Sequence, residues 1–108
     1  MLYVRNATSP RTGRPVANQF IIETNNHSYL QSYNSLVAVV YWDNEAKRYY
    51  AALGPDWDYS VTTMKYVYQF LNEAYDSETK WNKTKVWEAV ENGDIKYCPY
   101  AESDLEKF

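Results

Sequence analysis

The chain contains one cysteine, Cys98, and one histidine, His27, in 108 residues. A lone cysteine excludes an internal disulfide. One histidine without a Cys-x-x-Cys partner excludes the usual zinc sites. The three glycines, Gly13, Gly54 and Gly93, are too scattered for a phosphate-cradling loop or a dinucleotide fingerprint, both of which cluster glycines for close backbone approach. No apolar run approaches the roughly 18 residues of a membrane-spanning helix. The longest, Leu36 to Trp42, suits a buried strand. The first residues, "MLYVRNATSPRTGRPVANQ", lack the apolar segment of a secretory signal, so a cytoplasmic setting without a membrane partner is expected. The sequons at Asn6, Asn26 and Asn82 then carry no sugar, since glycosylation needs secretion.

Charge is also unevenly spread. Of the 11 lysines and arginines, Arg5, Arg11 and Arg14 fall within residues 1–17, which hold no acid. The remaining 8 basic residues stand against 14 acidic ones, a net of −6 for the body. A general nucleic-acid binder shows a basic face on its folded part, and this chain shows the reverse. With 45% apolar and 23% charged residues the composition is that of one folded domain with one modest core.

Residues 1–17 read as a flexible basic arm, with Pro10, Gly13 and Pro15 among small polar residues. Leu2, Tyr3 and Val4 leave open a short edge strand. Residues 18–100 read as a single domain. "NQFIIET" alternates imperfectly, and Asn25-Asn26 is expected as a two-residue hairpin loop because Asn tolerates positive φ. Tyr29, Gln31 and Tyr33 would share one strand face, with Leu30 on the other. "LVAVVYW" is nearly continuous and β-branched, as in a strand covered on both sides. "KRYYAAL" returns after "DNEA", and "GPD" ends it. Four such strands make an antiparallel meander.

The pattern changes at Ser60 to Thr63, where hydroxyls suit a helix N-cap. Met64, Val67, Phe70, Leu71, Ala74 and Tyr75 then recur as one helical stripe. A second helix starts at Asn82, with Trp81 and Val86 at hydrophobic-staple spacing, and ends at Gly93. "DIKYCPY" reads as a short last strand, and residues 101–108 as a frayed acidic tail. The expected class is α+β: a meander of about four strands, a short C-terminal strand, and two helices mainly on one face.

Two stretches go further. Gln31, Ser32, Tyr33 and Ser35 fit a pattern "FQSYxS", with Leu30 in place of its aromatic. Trp57, Asp58, Tyr59, Ser60, Thr62, Thr63, Lys65, Tyr66, Phe70 and Leu71 fit "WDYSxTTxKYxxxFL". From about Asn18 to Tyr97 the chain resembles a family of small uncharacterised bacteriophage and prophage proteins that carries these motifs. The resemblance implies a phage or prophage origin and a host-cytoplasmic setting. It implies no activity.

Chemistry has few candidates. Cys98 and His27 are the one Cys/His pair, and Cys98 precedes a proline without an activating context for its thiol. On one reading Asp56 and Asp58 share a strand face as the paired acids of a hydrolase; the plainer reading puts Asp56 in the "GPD" turn and Asp58 at the helix start. No cofactor and no metal is expected. Nineteen aromatic rings, however, exceed what one small core can hide. Binding is therefore expected rather than catalysis, through a surface of Tyr41, Tyr49, Tyr50 and Trp57 with Asp56 and Asp58. A host protein, such as a defence or nucleic-acid enzyme with a basic cleft, is the expected partner. Two alternatives stay open: a nucleic-acid accessory module using the arginines, and a structural or self-associating piece such as a homodimer.

Overall fold

The structure, a computed structural model, describes residues 2–108. Its chain order is β1 (Tyr3–Thr8), β2 (Pro15–Glu23), β3 (His27–Ser32), β4 (Ser35–Asp43), β5 (Arg48–Leu53), α1 (Val61–Ala74), α2 (Lys83–Glu91), β6 (Ile95–Tyr97) and a 3₁₀ helix (Glu102–Lys107). The strands lie side by side in that order in one sheet. β1 to β5 are an antiparallel meander, and β6 returns parallel to β5 after the two helices. The class is α+β, as the sequence patterns predict.

The turns explain the meander. Thr24 N–H donates to His27 O at 2.8 Å, so Asn25 and Asn26 span the β2–β3 loop. Neither adopts the positive φ expected of them. Among the described residues the non-glycine left-handed positions are Asn18, Tyr33 and Lys47, at φ 65°, 56° and 57°. Tyr33 therefore leaves the strand face assigned to it and forms the β3–β4 turn, where Ser32 pairs with Ser35. A non-glycine residue in this region is uncommon and marks a position fixed by its surroundings. Here Tyr33 N–H donates to Asn18 O at 2.6 Å, tying the turn to β2.

The sheet's two faces are covered differently. On one, Ile21, Leu30, Ala38 and Leu53 stand in register across β2 to β5 and pack with Val67, Phe70 and Leu71 of α1 and Val86 and Ala89 of α2. Both helices are capped as their sequences predict. Ser60 Oγ accepts from Thr63 N–H and Asn82 accepts from Lys85 N–H. Gly93, at φ 82°, follows α2, with its N–H on Val90 O and that of Asp94 on Ala89 O, a Schellman closure. On the other face, Val39 and Ala52 pack against Leu105.

Two segments depart from expectation. Most of the stretch expected as a flexible arm, residues 1–17, is not loose: Tyr3–Thr8 and Pro15–Glu23 pair as an edge hairpin, and Ala7 is in the core, while residue 1 lies outside the described residues. The pairing partner, Phe20 to Glu23, supplies the long-range contact that local composition does not reveal. The acidic tail is also folded. Leu105 is fully buried, and a Cβ added to Gly54 would sit 3.0 Å from Leu105 Cδ1 and 3.2 Å from Leu36 O. Gly54 is thus the residue that lets the tail reach the sheet. Leu105→Ala is expected to lower unfolding stability by about 2–5 kcal/mol in urea denaturation. A loss below about 0.5 kcal/mol would mean the tail is frayed after all.

Candidate functional site

The six residues expected to form one surface lie in four places. Tyr41 and Tyr50 are cross-strand neighbours whose rings stack at 5.7 Å on the face opposite the helices. His27 and Phe108 stack on Tyr41 at 5.8 and 5.6 Å, and His27 Nε2 meets the main-chain oxygen of Phe108 at 2.6 Å. The C-terminal segment thus already occupies part of that ring face. Burial is the main reason, with Asp43 and Tyr50 adding to it, that the Tyr41 hydroxyl is pushed above its ordinary pKa. Tyr49 points to the helix side, edge-on to Trp42 at 4.9 Å.

Trp57 is not a surface residue. Its side chain has 0% exposure and meets Trp87 edge-on at 5.5 Å. The turn that carries it folds back over the core, and α2 supplies the other ring. Its indole N–H is buried with no acceptor among the described residues. Asp56 and Asp58 do not share a strand face, because "GPDWDYS" lies outside any strand and residues 55–58 form a turn. Asp58 is half-buried, and its charge helps burial raise the pKa of Tyr68. Asp56 accepts from Ser35 Oγ at 3.1 Å.

The bond between Asp56 and Ser35 marks where the two motifs meet. A half-open cavity of about 500 Å³ is lined by Ser32, Tyr33, Asn34, Ser35 and Val37 from the β3–β4 turn. Its other wall is Asp56, Tyr59 and Thr63. Underneath, Ser32 and Thr63 hydroxyls meet at 2.9 Å although 31 positions separate them in sequence. Ser60 Oγ also donates to Thr63 Oγ1 at 3.1 Å. The helix cap is therefore bonded to the end of β3, which fixes both walls. Gln19, Ser32's neighbour on β2, is buried with neither amide atom partnered among the described residues. Above this floor, Tyr33 and Tyr59 are 45% and 75% exposed, so their rings form a rim.

Tyr33 and Tyr59 are the residues that strand periodicity misses, because both stand in turns. The signal that finds them is the pair of motifs, whose polar positions converge here. A second opening, about 330 Å³, lies beside Arg5, Glu23, Trp42, Tyr49 and Glu73, where Arg5 and Glu23 pair at 3.3 Å. Among the described residues no group of three or more His, Cys, Asp or Glu is arranged to hold a metal ion. No described helix is long and apolar enough to cross a membrane.

Residues 5–89 match the model of a family of unknown function, DUF8033, and the chain belongs to that family. The match runs from Arg5 within β1 through β5 and α1 into α2 and holds both walls of the cavity; β6 and the 3₁₀ helix lie beyond it. No curated protein and no solved structure matches the chain.

Trp57 and Tyr59 separate core from rim. Trp57→Ala is expected to cost about 3–5 kcal/mol of unfolding stability. Tyr59→Ala, two positions on, should stay within about 0.5 kcal/mol of the parent. Similar losses in urea denaturation would contradict the assignment.

Proposed function

We propose that this chain works by binding a protein, and that its partner is a host-cell protein met in a phage or prophage setting. The observation that carries the reading is the cavity itself. Two segments distant in sequence are held together by buried hydroxyls, and they present two exposed tyrosines over a carboxylate. Tyrosine gives interfaces a large rigid contact area at low entropic cost, and it concentrates at their energetic centres. Only Trp57, Tyr66 and Phe70 among the rings are buried, so much aromatic surface stays near solvent.

A catalytic reading has less support. Burial, with Asp104 adding to it, raises the Cys98 thiol above its ordinary pKa, whereas a nucleophilic thiol needs the opposite. The net charge of the body steers it toward a basic surface. A host defence or nucleic-acid enzyme offers such a surface in its substrate cleft, and occupying that cleft would inhibit it. The nucleic-acid reading rests on a different observation. Arg11 and Arg14 sit exposed at the β1–β2 tip and take part in no ion pair among the described residues, whereas Arg5 is held by Glu23. Charge on one hairpin tip against an acidic body makes this the second choice.

The test is affinity capture from host extract followed by reconstitution with the purified captured protein. Saturable 1:1 binding is expected, weakened about tenfold or more when Tyr33 and Tyr59 are both replaced by alanine. Binding to single-stranded DNA that falls steeply with salt and is lost in an Arg11→Ala, Arg14→Ala variant, with no protein reconstituted, would overturn the proposal.

A further inference from the structure

We infer that the cavity between Tyr33 and Tyr59 takes an arginine side chain of the partner protein. This rests on the binding reading above and names its chemistry. The cavity contains one ionisable carboxylate, Asp56, and no basic lining residue. Asp56 Oδ2 holds Ser35 Oγ, and no ion pair among the described residues involves Asp56. A half-buried carboxylate in a concave site lacks its cation. Of the remaining polar lining, Asn34 and Ser35 can accept further N–H donors, while Ser32 and Thr63 are buried and bonded to each other.

The rim decides between cations. Guanidinium is planar, weakly hydrated and five times a donor, so it stacks on tyrosine while reaching a carboxylate; an ammonium is a compact, strongly hydrated point charge. The fold itself shows the stacking, with the Arg48 guanidinium 4.6 Å from the centre of the Tyr50 ring. Volume is ample for such a side chain with residual water. A nucleotide could also stack between the two rings, but its phosphates would approach Asp56, and charge disfavours it. Arginine is also what a basic nucleic-acid cleft displays, which joins the site to the steering charge of the body.

The probe is N-acetyl-arginine amide, with the neutral citrulline counterpart as control, followed by amide NMR shifts of the full chain. The arginine probe is expected to move the signals of Tyr33, Asn34, Ser35 and Tyr59. Citrulline, Asp56→Asn and Tyr59→Ala should each weaken the effect about tenfold. Asp56→Asn keeps an acceptor for Ser35, and Tyr59 is mostly exposed, so both variants retain the fold. Equal shifts from citrulline, shifts confined to other residues, or stronger shifts at these four from a nucleoside monophosphate would overturn the assignment. Unchanged affinity of Asp56→Asn for a reconstituted partner would overturn it too, leaving the binding reading standing. Arginine-probe binding at the cavity with no protein partner would support the assignment and overturn the wider reading.

Discussion

The buried bond between the Ser32 and Thr63 hydroxyls is the contact on which the site depends. It joins the end of β3 to the first turn of α1. Ser60 caps the same turn, so one short chain of hydroxyls closes the helix and anchors it to the sheet. A helix start has free N–H groups that need partners. Here the partners come with a tether, and the tether sets the distance between Tyr33 and Tyr59. Without it, α1 would still have its apolar stripe on the sheet, but nothing polar would fix its beginning relative to the β3–β4 turn.

The sheet is sealed unequally. The helix side is a continuous core in which Leu30, Leu53, Trp57, Val67, Leu71 and Val86 are fully buried. The other side is covered by the short 3₁₀ helix, through Leu105, and by the Phe108 ring. That second cover lies outside the family match. Most of the helix-side core and all of the cavity lining lie within it, although Ile95 of β6 also joins that core, so the site belongs to the part of the chain that the family defines.

Local signals were legible where the physics is local. Ser60, Asn82 and Gly93 act at helix ends within a few residues, and each acts there as its residue type predicts. The stripe of α1 is legible in part: Val67, Phe70 and Leu71 are buried, but Thr63 and Tyr66 are buried with them, whereas Met64, Ala74 and Tyr75 are only half-buried. What sequence could not show was set by distant partners. β1 needed β2 to become a strand. Leu105 looked like one apolar residue in an acidic tail until Gly54 left it room. Trp57 looked like a surface ring until Trp87 closed over it. The candidate surface scattered for the same reason, since strand alternation says which rings share a face only where the chain is a strand. The "GPD" pattern does put Asp56 in the turn that holds it, and the motifs contain Tyr33 and Tyr59, but nothing in the sequence shows that the two rings meet.

Side-chain hydroxyls pin α1 to β3, so that the helix does not merely rest on the sheet. A double-mutant cycle with Ser32→Ala and Thr63→Val measures that link directly. A coupling energy of about 1 kcal/mol in unfolding stability is expected, within the range of buried partners in direct contact. Strictly additive effects of the two substitutions would contradict it, and would leave the cavity without the constraint that shapes it.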